Sequence, residues 1–573
     1  MHNGTCFRLA AGLTVLAWSL TAVMAEAQVV AGPGEQEQIE AALPSQAPVP
    51  PRRPRKLLIF DLNVGYGGHG SIRTANLAFT LMGKKTGAFD TVISRDPTIF
   101  QPQSLKQFDA VFFNNTVGNL FEDPALRQSL IEFVYGGGGL LGVHGTTVAF
   151  TRWTEGARED WPEFGSLLGG RGANHKAPDE HVFIKLDDPG HPLNRPFGGQ
   201  GFEYRSEFFR VHGPYSRDRV RELFSIDTQK TDMQQTPAYG PLVREDQDYA
   251  LAWVRQYGRG RVFYCTIAHS PSNFWDPKLL QFYLAAVQFA VGDLPAPTTP
   301  SNKLTPAMRA QEQLGWRLGT EAYTFHKSTL FEAIDKTAQL GLPYLGGLSS
   351  QKVSQDIPKN FDPQLTDDEL KQIRLKLDSA GVRLLTYYIQ QLPGDPAGCR
   401  QVFDFGRKIG IETFLSEPSP EALDTIEKFC DEYDIQVAIH NRDQQASPQY
   451  WQPEGVLKVC QGRSRRIGAC GDLGSWMRSG IDPIAAARTL KDRLLTVQLH
   501  DLQELSPASH DVPWGTGVGK LGQFIAELDR LGVKPTMFGM EYSYNGIESL
   551  PELAQSVQFF NQVSLELTKR GAP

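Results

Sequence analysis

The chain has 573 residues, of which 40% are hydrophobic and 21% charged, with a formal net charge of -7. That length exceeds what one hydrophobic core organises, so two large domains with linkers are expected. The composition is ordinary globular material, and the acidic balance, without any long basic run, argues against a nucleic-acid surface.

The first residues read as a secretion signal. Arg8 is followed by an apolar stretch from Leu9 to Met24, and Ala25-Glu26-Ala27 fits a small-residue cleavage site before Gln28. A signal peptide over residues 1–27 and a periplasmic or secreted location follow from this. The competing reading, a retained membrane anchor, is disfavoured by the shortness of the run. Cys6 precedes the apolar stretch and is not a lipoprotein cysteine. Cys265, Cys399, Cys430, Cys460 and Cys470 would remain after cleavage. They are odd in number, widely spaced and free of any CxxC pair, so buried free thiols are expected, with one bridge left open by an oxidising compartment. Residues 28–55, rich in Gln, Pro and Ala, read as a flexible linker.

An α/β unit spans residues 56–292. Leu57–Phe60 is a short buried-type strand, a Gly-rich loop runs from Asn63 to Gly70, and a helical pattern covers Ile72–Met82. Ala110–Phe113 and Gly139–His144 are further apolar strands. Strands alternating with helices predict a mostly parallel, doubly wound sheet, flavodoxin-like in architecture. Ligands on such sheets sit at the carboxyl edge, where Asn114, Asn115 and His144 fall. Gly137-Gly138-Gly139-Leu140-Leu141-Gly142-Val143-His144, Leu168-Gly169-Gly170 with His175 beyond it, and Ala252-Trp253 through Gly258–Tyr264 to His269 carry a resemblance. The unit resembles the trehalose-utilisation ThuA family, which has a glutamine-amidotransferase-like fold. The amidotransferase elbow carries a cysteine, but His144 stands there, and Cys265 lies within a strand. Glutaminase chemistry needs a thiolate nucleophile and is therefore excluded. His69, His144, His175 and His269 are candidates to cluster over the sheet edge, with His144 and His269 as possible substrate contacts. Glu203 and Glu207 are further polar candidates. Loop hydrogen bonding is the alternative role for all of them.

A second linker, residues 293–312, contains Pro-Ala-Pro-Thr-Thr-Pro. Eight strand-then-helix repeats follow over residues 313–573. The strands lie near Arg317–Tyr323, Pro343–Gly347, Val382–Tyr388, Glu412–Ser416, Gln436–His440, Arg466–Cys470, Leu494–His500 and Thr536–Glu541. Eight such units over about 260 residues predict a (β/α)8 TIM barrel, whose chemistry belongs at the strand C-termini. Glu417, His440, Asp472, His500 and Glu541 occupy consecutive strand ends. Carboxylates and imidazoles converging there suit a divalent metal: Mn, Zn, Co or Fe, or Mg if oxygen ligands dominate.

The barrel resembles the xylose-isomerase-like superfamily of sugar isomerases and epimerases. Ala438-Ile439-His440-Asn441, Gly471-Asp472-Leu473-Gly474, Leu499-His500-Asp501, Glu541 and the loop Val512–Gly517 carry that resemblance. It implies metal ligation by Asp472 and Glu541. Elsewhere the chain departs from the family pattern: His440 stands where a glutamate is usual, Gln498 and Ser475 where histidines are usual, and Arg442 where a further histidine often follows. Residues at i and i+2 share a strand face, so Gln498 or His500 could point inward, and His500 is the better ligand. Glu417 could supply the missing carboxylate. Glu541, His440 and His500 are candidate catalytic bases; His326, Lys352, Arg442, Gln498, Trp514 and Tyr542 are candidate substrate contacts. The expected function is an exported carbohydrate enzyme that abstracts a proton next to a sugar carbonyl, cleaving a (3-keto-)glycoside. The alternatives are a metal-dependent isomerase or epimerase of a free sugar, and a non-catalytic periplasmic sugar-binding protein. A small carbohydrate is the expected partner, with neither nucleic acid nor a stably inserted membrane segment.

Overall fold

The computed structural model describes residues 34–152, 160–234, 244–545 and 548–570. Residues 1–27, read as a secretion signal, lie outside the described residues, and among the described residues no helix is long and apolar enough to cross a membrane.

The first domain contains strands β1 (Lys56–Phe60), β2 (Asp90–Ser94), β3 (Ala110–Asn114), β4 (Gly139–Val143), β5 (Arg171–Asn174), β6 (Glu180–Leu186), β7 (Phe202–Ser206), β8 (Arg210–His212), β9 (Arg221–Ile226), β10 (Ala250–Tyr257) and β11 (Gly260–Cys265). Nine of them form one sheet in the order β2-β1-β3-β4-β11-β10-β9-β6-β7, while β5 and β8 pair separately. The half from β2 to β11 is parallel, as predicted. β3 and β4 are buried throughout, the signature of a strand covered on both faces. The other half is antiparallel, which corrects the expectation of a mostly parallel sheet. The cause is local: Gly258, with φ 60°, and Arg259 turn β10 directly into β11, too short a connection for a parallel crossover.

The second domain is a closed barrel of eight parallel strands: β12 (Leu318–Glu321), β13 (Tyr344–Leu348), β14 (Arg383–Tyr388), β15 (Thr413–Ser416), β16 (Gln436–His440), β17 (Ile467–Asp472), β18 (Leu494–Leu499) and β19 (Phe538–Met540). Each falls where the sequence placed it. Leu415, Ala438 and Cys470 fill the barrel interior one step below its mouth. The five described cysteines are unbridged and buried.

The described parts of both segments read as linkers, residues 34–55 and 293–312, are packed. Helix Glu35–Ala42 buries Ile39 in the first domain's core, and Gln288 exchanges two hydrogen bonds with the Val49 backbone. Asp293 binds the Arg55 guanidinium, and helix Pro306–Leu314 lies against helix Leu550–Arg570. Composition marks such stretches as breaks, but a few buried apolar side chains and paired charges hold them in place.

The two domains meet through their strand starts. Arg383 of β14 donates to Gly258 O at the β10–β11 turn (3.0 Å), and Arg259 donates to Tyr433 O (3.1 Å). Arg374 is fully buried against Glu163 at 3.3 Å, and Asp378 receives Arg255 and Arg219. β11 begins at this interface and ends at the opposite edge of its sheet. The barrel mouth, at the strand C-termini, also points away from it.

Candidate functional site

Alternation along the barrel strands raises one side chain per strand to the mouth: Glu321 above Gly319, Tyr388 above Thr386, His440 above Ala438, Asp472 above Cys470. Together with Gln498, His500, Glu541, Arg442 and Ser475 they line a cavity of about 380 Å³, within the ~300–1,000 Å³ of small-molecule sites.

His500 is held from behind. Its Nδ1 lies 2.7 Å from Asp511 Oδ1, and Asp511 also accepts from the Ser543 backbone N–H at 2.9 Å and from its hydroxyl. His500 Nε2 is buried without a hydrogen-bond partner and faces Asp472 Oδ1 at 3.5 Å. Burial opposes a charge on this ring, but Asp511 and Asp472 outweigh it and lift the group to about 9. His440 is held differently: Nε2 donates to Gln498 Oε1 at 2.7 Å, and Nδ1 sits 3.5 Å from Glu417. Burial disfavours its charge too, yet Glu417 and Asp472 raise it above the usual histidine range. Asp472 caps helix Leu473–Arg478, accepting from Ser475 N at 2.9 Å and Ser475 Oγ at 2.6 Å. Burial pushes the Glu541 carboxyl up to about 7, with Asp472 adding to the rise and His500 and His440 opposing it. Burial, then Glu541, pushes Glu321 well above the carboxylate range.

Of the residues singled out from sequence, His440, Asp472, His500, Glu541, Gln498 and Arg442 converge on the cavity. Glu417 stands behind His440 and accepts the Tyr388 hydroxyl at 2.9 Å. His326 and Lys352 are exposed, and His326 stacks on Tyr323. Trp514 and Tyr542 leave the site altogether. Both are buried in the barrel's outer core, Trp514 near Phe560 and Tyr542 donating to Glu552. Asp501 organises the following loop by accepting from the N–H groups of Gly515, Gly517 and Gly519. Sequence reasoning missed Glu321 and Asp511. Glu321 had a signal in its place at the end of the first barrel strand, whereas Asp511, in an irregular loop, had none.

For a divalent ion the donor set fits. A histidine fixed through one ring nitrogen by a carboxylate, with the other nitrogen unpaired and facing a second carboxylate, is the arrangement metal-ligating histidines show.

The first domain gathers a second cluster at the carboxyl edge of its parallel strands. His69 comes from the loop after β1, His144 from the end of β4, His269 from just beyond β11, and Glu207 from just beyond β7. One ligand atom from each lies within 4.8 Å of the others. Among the described residues this is the one group of histidine, cysteine and acidic side chains that gathers so closely. His144 occupies the elbow with φ 41° and is fully buried. Burial lowers its proton affinity against the pull of Glu207. Burial and the neighbouring imidazoles push His69 down to about 2. His175 stands 3.3 Å from Glu207, but Glu203 is exposed and pairs with His181. Cys265 is buried in β11, and burial pushes its thiol up to about 12, so no thiolate is available at this edge.

The domains match two protein-family models: ThuA, trehalose utilisation, over residues 56–290, and xylose isomerase-like TIM barrel over residues 417–563. A search of curated proteins gives no match. Among solved structures, an uncharacterized protein from Parabacteroides distasonis ATCC 8503 is 31% identical, covering 43% of this chain and 99% of its own, with a TM-score of 0.37. A D-tagatose 3-epimerase-like protein is 13% identical over 45% of this chain and 100% of its own, TM-score 0.36. A ThuA-like protein from Bacteroides uniformis ATCC 8492 is 19% identical over 42% and 92%, TM-score 0.31. The chain thus joins a domain of the ThuA family to a xylose isomerase-like TIM barrel.

Proposed function

We propose that the barrel is a sugar enzyme of isomerase or epimerase type, exported from the cytoplasm, that moves a proton at the carbon next to a carbonyl with the aid of a divalent ion. The observation that carries this reading is His500, anchored through Nδ1 to Asp511 and presenting an unpaired Nε2 to Asp472 inside the cavity. Asp472, His500 and Glu541 would hold the ion, with His440 and Glu417 at its margin. A bound divalent ion supplies Lewis acidity toward a carbonyl and its neighbouring hydroxyl.

Glu541 would both help to hold the ion and take the C–H proton. The proton affinity that burial raises would be lowered by a bound ion, so the carboxylate would be ionised and able to accept the proton. Return of that proton to the adjacent carbon isomerises the sugar. Return to the opposite face of the same carbon epimerises it and needs a second proton carrier; His440 and Glu321 both reach the cavity. Arg442, Gln498 and Tyr388 are placed to bind hydroxyl groups.

A second reading is cleavage of a keto-glycoside, with the same proton abstraction followed by loss of the aglycone. The ThuA match favours it, because trehalose is itself a glycoside. The test is to incubate the full-length, Mn²⁺-loaded protein with aldoses, ketoses and 3-keto-glycosides in D₂O and follow the sugars by NMR. Deuterium entering next to the carbonyl, and lost in Glu541→Gln, supports proton transfer; aglycone release selects the second reading. Sugar binding without exchange or cleavage overturns both in favour of a sugar-binding protein.

A further inference from the structure

We propose that the ThuA-family domain carries its own metal site, in which His69, His144, His269 and Glu207 bind one divalent transition-metal ion with a coordination position open to solvent. Four observations support it. First, the four ligand atoms lie within 4.8 Å of one another; tetrahedral bonds of about 2.1 Å would draw them to about 3.4 Å, a closure within reach of side-chain rotation. Second, His144 Nδ1 lies 2.8 Å from Thr266 O, so Nδ1 carries the proton and Nε2 presents its lone pair to the cluster, 3.3 Å from Glu207. That is how a backbone carbonyl fixes the tautomer of a ligating histidine. Third, His69 Nδ1 is buried with no hydrogen-bond partner, although the His69 ring centre lies 4.9 Å from that of His144 and 5.5 Å from that of His269. The three imidazoles of the group share one carboxylate, which His175 also approaches at 3.3 Å, and they leave more lone pairs than protein donors can satisfy, a deficit that a cation removes. Fourth, the side chain of His269 is 25% exposed and Tyr66 beside His69 is 43% exposed, so one side of the cluster faces water.

The donor chemistry selects the ion. Three nitrogens and one carboxylate suit Zn²⁺, Co²⁺, Fe²⁺ or Mn²⁺, whereas Ca²⁺ and Mg²⁺ prefer oxygen. An open position on such an ion takes a water or a substrate oxygen. The site is also independent of the barrel: it lies at the carboxyl edge of its sheet, and the domain interface uses the opposite edge.

The test uses the full-length chain carrying Asp472→Asn and Glu541→Gln, which removes barrel binding. The protein is stripped with chelator, titrated with Co²⁺ and read by elemental analysis and visible absorption. One retained equivalent of Co²⁺ with a d–d spectrum is expected, lost on further His69→Ala and His269→Ala substitution. Glu207→Gln, which preserves shape, guards against misfolding and should weaken Co²⁺ binding at least tenfold with the melting temperature retained. A barrel variant that binds no Co²⁺, or histidine variants that bind as their parent does, would overturn the site. Wild-type protein binding one equivalent rather than two would instead count against the barrel ion alone.

Discussion

His440 and His500 both point into the barrel mouth, but their partners separate their roles. Asp511 takes Nδ1 of His500 and leaves Nε2 for a ligand, while Gln498 takes Nε2 of His440. Asp511→Asn should therefore weaken divalent-metal binding about 10- to 100-fold, measured by isothermal titration, with the fold unchanged by circular dichroism. Glu541→Gln should lower kcat by about 10²–10⁴, the usual range for a lost general base, with KM changing far less; steady-state kinetics on the substrate found in the D₂O screen checks this. Asp472, Glu541 and both histidines were legible as strand-end residues. Glu321 also stood at a strand end, but nothing in sequence says that its carboxyl would share the mouth with Glu541 of the neighbouring strand.

At the scale of the strand, glycines decide what fits at the mouth. A Cβ on Gly346 of β13 would collide with Glu321 Oε2 and Thr386, and one on Gly539 of β19 would strike the Glu321 carboxyl. These two glycines make the slot that Glu321 fills. Gly346→Ala should displace Glu321, cost about 1–3 kcal/mol as overpacking does, and depress activity further than Glu321→Gln. Urea denaturation and kinetics on the two variants check the ordering; equal activity would mean that the slot has no catalytic consequence. The same alternation explains the elements read correctly. Period two put His440 above Ala438, but Trp514 and Tyr542 lie beyond the regular strands, where no period applies, and they turned into the core.

The whole molecule is held by charges buried between domains, and its two candidate sites open away from that interface. Arg374 and Glu163 are both buried, at 0% and 4% exposure. Arg374→Ala leaves the buried Glu163 carboxylate to Lys371 at 3.8 Å and should cost about 3 kcal/mol, seen as a lower Tm and a splitting of the calorimetric transition into two. At the base of the barrel, burial raises the Glu412 proton affinity, but Arg317 and Arg383 outweigh it and hold the carboxyl at about 2, below its ordinary 4.5. A depressed carboxyl contributes stability that is fully present above pH 4.5 and lost as the pH falls toward 2. Wild-type stability should fall across that window, and Glu412→Gln should be less stable at neutral pH and lose less on acidification, measured by urea midpoints at pH 6 and pH 3.

The sequence by itself determined the two-domain order, the eight barrel strands and the residues at their C-terminal ends, because hydrophobic periodicity is local and strand ends follow from it. It also singled out His69, His144, His175 and His269 of the first domain. The tertiary structure alone decided that all four gather around Glu207, that Asp511 backs His500, that half of the first sheet is antiparallel and that the linkers are packed. Each of these rests on contacts between residues far apart in the chain, and period and composition carry no information about such pairs.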